Sequence, residues 1–526
     1  MTPTEPIQEP RRRRFPRLRR RWARRLLILG AAASIVIVGV LAVGAWMYTQ
    51  ARIDTTGDIS FDQPLHIPPL LEPETDSTGR AVFDLQLQQG PAELLPGTET
   101  VTWGANGNYL GPTLRASRGD DIAINVTNSL PESTTLHWHG MHLPAVADGG
   151  PHQMIPPGES WSPTWTIDQP AATLWYHPHP HGETADHVYR GVAGLFLLDD
   201  DQDVELPDDY GIDDIPIILQ DKRFNDDGSL DLGAHFLSTV GQLGDEILVN
   251  GTHRPHLDVE TDLVRLRVLN ASNGRVYNLG FDDDRSFELI GTDGGLLEQP
   301  VSLRRLQVSP GERAEIVVRV DPGERTVLRS NSPELGLNFL QRRFSGGDDR
   351  FDLLELRAAD TLAESPPVPR QLTATELPDP ADADTTRTFE LTGRSRINGQ
   401  KMDMSRIDTI VAVDTTEIWE VTNRSGNPHN FHIHDVQFRV LDLDSDPPPA
   451  HLDGPKDTVF IPPGSTVRVA VRFADYTDPD VPYMYHCHIL FHEDAGMMGQ
   501  FTVVESDAIN QAPRQTPNDP SHEHDD

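Results

Sequence analysis

Two apolar patterns follow one another along the chain. From Leu26 to Tyr48 run 23 uncharged, mostly apolar residues, which as a helix would cross roughly 30 Å of hydrocarbon. The run has no polar face to show water, so it fits a membrane-spanning segment better than the core helix of a soluble domain. Downstream the period falls to two. Val467, Val469, Val471 and Phe473 alternate with Arg468, Ala470 and Arg472, as in a strand with one buried face. This strand follows the turn Ile461-Pro462-Pro463-Gly464-Ser465, and similar turns start at Ile155 and Val308, so successive copies lie 153 residues apart. Upstream of each turn another matching piece recurs: Ile122, Ile124 and Val126 before Asn128, Val264, Leu266 and Val268 before Asn270, and Trp419 and Val421 before Asn423. The spacing predicts three copies of one β domain.

Composition agrees: 41 Gly and 44 Pro with 37% hydrophobic residues point to an all-β, turn-rich chain rather than helical bundles. The expected partition is a basic segment 1–25, a transmembrane anchor or export signal 26–48, a linker 49–75, β domains at 76–200, 207–358 and 385–505, a second linker 359–384 and a disordered tail 506–526.

Charge sharpens the picture at the N-terminus. Ten arginines against Glu5 and Glu9 give residues 1–25 a net +8, which leaves −45 for the remainder of a chain at −37. By the positive-inside bias the arginine-rich end stays in the cytoplasm and the acidic part lies outside. The expected location is the cell membrane, single-pass, with an extracytoplasmic catalytic region. The alternative is secretion after signal cleavage: Arg12-Arg13-Arg14-Phe15 is loosely similar to a twin-arginine signal, and Ala42 to Ala45 could host the cut. The acidic remainder excludes nucleic acid as a partner. It could attract cations or serve solubility, in keeping with 41 Arg and only 3 Lys.

The lone cysteine, Cys487, excludes an internal disulfide scaffold and any multi-thiolate zinc site. Ten of the 21 histidines fall in four clusters: His137-Trp138-His139, His177-Pro178-His179, His429 to His434, and His486-Cys487-His488 with His492. Residues two apart on a strand share a face, so each His-x-His pair presents two imidazoles to one side, and Cys487 points away from His486 and His488 toward a different metal. A thiolate, two imidazoles and a weak thioether make a blue-copper site. His492 and Met497 follow Cys487 by five and ten residues, and His429 can supply the second imidazole.

With these motifs the chain resembles the three-domain multicopper oxidases, the family of laccases, cuprous oxidases, ferroxidases and bilirubin oxidases. The resemblance runs from about Phe83 to Val504 and rests on His137-Trp138-His139-Gly140, Trp175-Tyr176-His177-Pro178-His179, the His429 to His434 cluster, and His486-Cys487-His488 through His492-Glu493-Asp494 and Met497. Ile397-Asn398-Gly399 and Asp293-Gly294-Gly295-Leu296-Leu297 add non-ligand support. It implies three cupredoxin-like Greek-key sandwich domains behind the N-terminal helix. It also implies four coppers per chain: a type 1 ion on His429, Cys487 and His492 with Met497 axial, a type 2 ion on His137 and His432, and a type 3 pair on His139, His177, His179, His434, His486 and His488. One departure is visible, because Asn430 stands where the family motif His-Pro-x-His-x-His has proline.

The implied activity is one-electron oxidation of a small reducing substrate, a phenol, iron(II) or copper(I), coupled to reduction of dioxygen to water. That reduction consumes four protons, and the resemblance offers Asp148 and Glu493 as the carboxylates that relay them. Two other functions stand beside it: a metallo-oxidase for copper or iron homeostasis, and a non-catalytic copper shuttle. His142, His152, His181 and His187 read as neighbouring or surface residues, and Met402, Met404 and Met498 as core fillers.

Overall fold

The computed structural model describes residues 18–202, 204–234, 237–373 and 377–517. The arginines before Leu18 and the tail histidines His522 and His524 lie outside the described residues. The chain divides into two compact units, Met1–Arg52 and Ile53–Asp526. The first is a single helix, Leu18–Gln50, with no proline to break it. Its apolar side chains from Leu26 to Trp46 are exposed, and the stretch Arg25–Gln50 is long and apolar enough to cross a membrane.

The second unit is built from three pairs of β-sheets, and the same pairing recurs in each. In the first sandwich Ala81–Leu95 lies parallel to Asp121–Asn128, which runs antiparallel to Ser160–Trp161 and Thr164–Thr166. In the second, Asp214–Lys222 lies parallel to Leu263–Asn270, which pairs antiparallel with Arg313–Arg319. In the third, Ala383–Thr392, Thr415–Asn423 and Thr466–Phe473 repeat the arrangement. Parallel neighbours joined through the opposite sheet are the mark of a Greek-key sandwich. The period-two positions point between the sheets: Val467, Val469, Val471 and Phe473 are buried around Trp419, as are Val264, Leu266 and Val268 in the second core and Ile122, Ile124 and Val126 around Trp138 in the first. Each fully buried Val, Leu, Ile or Phe contributes about 1.5–3 kcal/mol.

The recurring asparagine and turn interlock. Asn128, Asn270 and Asn423 donate from Nδ2 to the carbonyls of Ile155, Val308 and Ile461 at 2.7, 2.9 and 3.0 Å. Their own carbonyls accept from Gly158, Gly311 and Gly464 at 2.7, 2.9 and 3.0 Å. These glycines sit at φ between +82° and +85°, a backbone region that disfavours any side chain.

The connecting segments are more ordered than their composition suggests. The stretch 49–75 is not a free tether: Ile53 N donates to Asp349 at 3.0 Å and Gly57 N to Asp352 at 2.7 Å, Gln63–Pro64 pairs with Pro255–Thr261 of the second sandwich, and Leu70–Leu71 pairs with Thr113–Ser117 of the first. Within 359–384 the strand Phe351–Ala363 continues into the segment, and Leu372 is buried beside Leu263 and Val317. The tail is a correction too, because residues 506–517 fold back on the third sandwich. Thr516 N donates to Ser405 O at 3.0 Å, and Ala508, Ile509 and Ala512 pack on Ile407, Ile410 and Val504. Three apolar side chains within five residues give this segment a face to bury, which its overall polarity hides.

Candidate metal centre

Two pairs of strands, one from each outer sandwich, carry the histidines. His137–His139 runs beside Ala172–His177 with His137 opposite His177, and His429–Ile433 runs beside Asp478–His486 with His432 opposite His486. The four cluster segments therefore meet. His137 stacks on His434 with centroids 3.9 Å apart, and His139 on His432 at 3.7 Å. His486 Nε2 lies 3.1 Å from His179 Nε2 and 3.2 Å from His434 Nε2, while His177 and His488 face each other at 5.2 Å between centroids. All eight imidazoles are buried.

Their protonation suits a cation. Burial holds His139, His177, His434 and His488 well below the ordinary imidazole pKa, and lowers His179 to about 3 and His432 to about 4. Several ring nitrogens have no hydrogen-bond partner: His137 Nε2, His139 Nδ1, His177 Nε2, His432 Nε2 and both nitrogens of His488. A buried polar atom left unpaired costs about 1–3 kcal/mol, so this set of lone pairs calls for a metal. Donor atoms of His137, His139 and His177, of His137, His432 and His434, and of His179, His434 and His486 fall within 4.8 Å of one another in each group.

The opposite ring nitrogens are held by the protein, as ligand imidazoles usually are. His137 Nδ1 meets Asp148 O at 2.8 Å, His177 Nδ1 meets Pro178 O at 2.8 Å and His432 Nδ1 meets Asp457 O at 2.9 Å. Carboxylates take three more. Asp148 Oδ2 lies 2.9 Å from His434 Nδ1, Glu493 Oε2 lies 3.0 Å from His486 Nδ1, and Asp457 Oδ1 lies 3.0 Å from His139 Nε2. Asp148 and Glu493 thus stand at the cluster as the sequence suggests. Burial alone would raise the Glu493 pKa, but His486 and His179 beside it hold it well below the carboxylate range.

Cys487 lies on the far side of its strand from His486 and His488. Its sulfur is 3.5 Å from His429 Nδ1 and 3.6 Å from His492 Nδ1, and the three form a buried ligand group. Burial pushes the thiol up to about 12, so a metal cation is needed to hold it as thiolate. Met497 is fully buried in the same core, and its carbonyl accepts from Cys487 N at 3.1 Å. The second nitrogens are again taken: His429 Nε2 by Ser425 Oγ at 2.8 Å and His492 Nε2 by Thr239 O at 2.8 Å.

Sequence reasoning missed the support that comes from the second sandwich. Arg313 reaches Asp457 with two nitrogens at 2.8 and 2.6 Å. Lys456 bridges Asp293 at 3.0 Å and Glu312 at 2.8 Å, and all five groups are buried. The Arg313 guanidinium and the His139 imidazole hold Asp457 well below the carboxylate range against a burial effect that would raise it. Thr239, which covers His492, is itself pinned by Ser345 through its N and Oγ1 at 3.0 and 2.8 Å. The one hint in the sequence is Lys456, one of three lysines, placed beside an acid just before an apolar strand.

A thiolate with two imidazoles and a thioether beside a closed set of imidazoles is a donor set for copper. Comparison with known proteins bears this out: family models described as multicopper oxidase match residues 86–203 and 365–507. "Multicopper oxidase mco" of Staphylococcus aureus is 36% identical over 447 residues, 83% of this chain and 92% of that protein. The chain belongs to the multicopper oxidases. "Cell division protein FtsP" of Escherichia coli is 35% identical over 448 residues, 84% of this chain and 93% of the relative. Among solved structures, a laccase from Pediococcus acidilactici superposes with a TM-score of 0.77 at 35% identity, covering 86% of this chain and 96% of that one. A multicopper oxidase of this kind is a copper-dependent oxidoreductase with an all-β, cupredoxin-like fold, as the motifs implied.

Proposed function

We propose that this multicopper oxidase takes single electrons from a small reducing substrate at a type 1 copper held by His429, Cys487, His492 and Met497, and passes them to dioxygen at a three-copper cluster. The observation that carries this reading is the convergence of eight buried imidazoles, six of them with an unpaired ring nitrogen, two of which, His486 and His488, flank a buried Cys487 that faces two further imidazoles. In the cluster His137 and His432 would hold the type 2 ion, and His139, His177, His179, His434, His486 and His488 the type 3 pair, four coppers per chain in all. Bound copper supplies the one-electron acceptance and the reduction of dioxygen to water.

The chain's own residues do the rest. The peptide His486-Cys487-His488 joins the two sites covalently, so electrons need cross only a few bonds. Burial of every donor keeps water from the imidazole lone pairs. Glu493 Oε2 lies 3.0 Å from His486 Nδ1, and Asp148 Oδ2 pairs with His434 Nδ1 at 2.9 Å, so a carboxylate stands beside a cluster imidazole at each position to which the relay of protons is assigned. Asp148 Oδ1 is buried, accepts no hydrogen bond and lies 3.4 Å from His137 Nδ1.

The donor is a phenol or a metal ion, and one observation favours the metal-ion reading. His492 Nε2 is occupied by the Thr239 carbonyl and His492 is fully buried, so no imidazole nitrogen of the type 1 site is left for a phenol hydroxyl. The arginine-rich end and the apolar helix support a single-pass membrane protein with the copper sites outside the cytoplasm; release after cleavage is the alternative, and N-terminal sequencing of the mature protein separates the two. For the activity, copper content and oxygen uptake decide: about four coppers per chain with oxygen consumption is expected. About one per chain would leave an electron shuttle, and none would remove the oxidase reading. A panel of phenols, iron(II), copper(I) and bilirubin, compared by kcat/KM, then names the donor.

A further inference from the structure

The departure at Asn430 sits against the Cys487 sulfur. Along His429–Ile433 the backbone N–H groups alternate in direction: Ile433 N donates to Asp457 O on one flank and His434 N to Met484 O on the other. Asn430 shares the parity of His434, and its N–H points to the Cys487 flank. The ladder with Asp478–His486 begins only at His432, so this N–H is outside that pairing and faces the Cys487 flank, where the N–H groups of Asn430 and Ile489 pull the thiol down against the burial that raises it. A proline at this position has no N–H to give. The Asn430 side chain is fixed separately. Its Nδ2 donates to Pro310 O at 2.7 Å and Ser309 Oγ at 3.2 Å, on the turn of the second sandwich, and its Oδ1 lies 3.5 Å from the sulfur.

We propose that Asn430 is a positioning residue that raises the reduction potential of the type 1 site, by giving the Cys487 thiolate a second backbone hydrogen bond that the proline of the family motif cannot supply. A donor at the sulfur withdraws charge that the thiolate would otherwise give to copper(II), and so favours copper(I). The proposal rests on the type 1 assignment made above.

The test is a redox titration of the copper-loaded full-length protein as wild type, Asn430→Pro and Asn430→Ala, with the sulfur-to-copper absorption band recorded alongside. Expected is a downward shift of potential and a moved band in Asn430→Pro, with Asn430→Ala, which keeps the N–H, staying near wild type. An unmoved potential in Asn430→Pro overturns the proposal, and so does an equal fall in Asn430→Ala, which would assign the effect to the side chain. Should the proline variant not load copper, electron–nuclear double resonance of the wild type in D2O reads the same point. Two exchangeable protons coupled at the sulfur support the proposal and a single one overturns it. A wild type without a blue band would strike the type 1 assignment itself, whereas a blue wild type with an unmoved Asn430→Pro potential strikes this proposal alone.

Discussion

The second and third sandwiches share a frame and differ in what they hold. After Asn423 the third carries His429 and His432 on a buried strand with His434 just past its end; after Asn270 the second carries Tyr277, Leu279 and Phe281 on the corresponding one. Paired with the equivalent Ile461 and Val308, His429 stands where the second has Tyr277, and Phe431 and Ile433 stand where it has Leu279 and Phe281; His432 lies on the opposite face, so the two repeats share the core face of this strand and differ on the other. The second sandwich still acts on the metal centre, through Arg313 on Asp457, Thr239 on His492 and the Ser309–Pro310 turn on Asn430. Frame and chemistry are separable, and the repeat without candidate ligands clamps side chains beside those of the other two.

The largest break in that comparison is Cys487→Ser, the one change that takes the third sandwich closest to the second. It is expected to abolish the blue absorption and substrate oxidation together while the fold persists, read by visible spectroscopy and oxygen uptake. A variant that stays blue refutes the ligand assignment. Next comes the clamp. Asp457→Asn takes from buried Arg313 the nearer of its two anionic partners, leaving Asp293 at 3.8 Å; breaking a buried pair costs up to about 3–5 kcal/mol, and thermal unfolding should show a loss within that bound together with reduced copper content, since His139 loses its carboxylate. Arg313→Met with Asp457→Asn should recover part of the stability.

Glu493→Gln and Asp148→Asn act on the cluster alone. Each is expected to slow oxygen turnover by roughly 10²-fold, the usual scale for a lost acid or base, with the blue band intact because neither touches Cys487. Wild-type rates in both would remove the proton role.

The sequence made the frame legible because it rests on local rules. Gly158, Gly311 and Gly464 advertise their turns, and period two marks the buried faces. That the histidines of these motifs would gather was legible for a related reason, since His-x-His and His-Cys-His fix geometry within three residues. Asp457, Arg313 and Thr239 were not, because the pairs Arg313–Asp457 and Thr239–His492 span 144 and 253 residues and a single buried acid leaves no periodic trace. The tail from Ser506 was misjudged for the opposite reason, its few apolar residues being diluted among polar ones.

The smallest effect is the most discriminating for the comparison, because one substitution can be made at equivalent places in both repeats. Asn270→Ala removes bonds to Val308 O at 2.9 Å and Arg275 O at 2.8 Å, and Asn423→Ala removes those to Ile461 O at 3.0 Å and Asn427 O at 2.8 Å. Each removes two buried hydrogen bonds worth about 0.5–1.5 kcal/mol apiece, so each should lower stability by about 1–3 kcal/mol in denaturant unfolding. Only Asn423 also holds Ser425, accepting from its N and Oγ at 2.9 Å each, and Ser425 Oγ in turn meets His429 Nε2. Asn423→Ala should therefore shift the type 1 absorption and potential as well, whereas Asn270→Ala should leave both unchanged. Equal spectra in the two variants would show that the asparagine lock is frame alone, and that His429 is oriented by copper and Cys487 without help from the repeat.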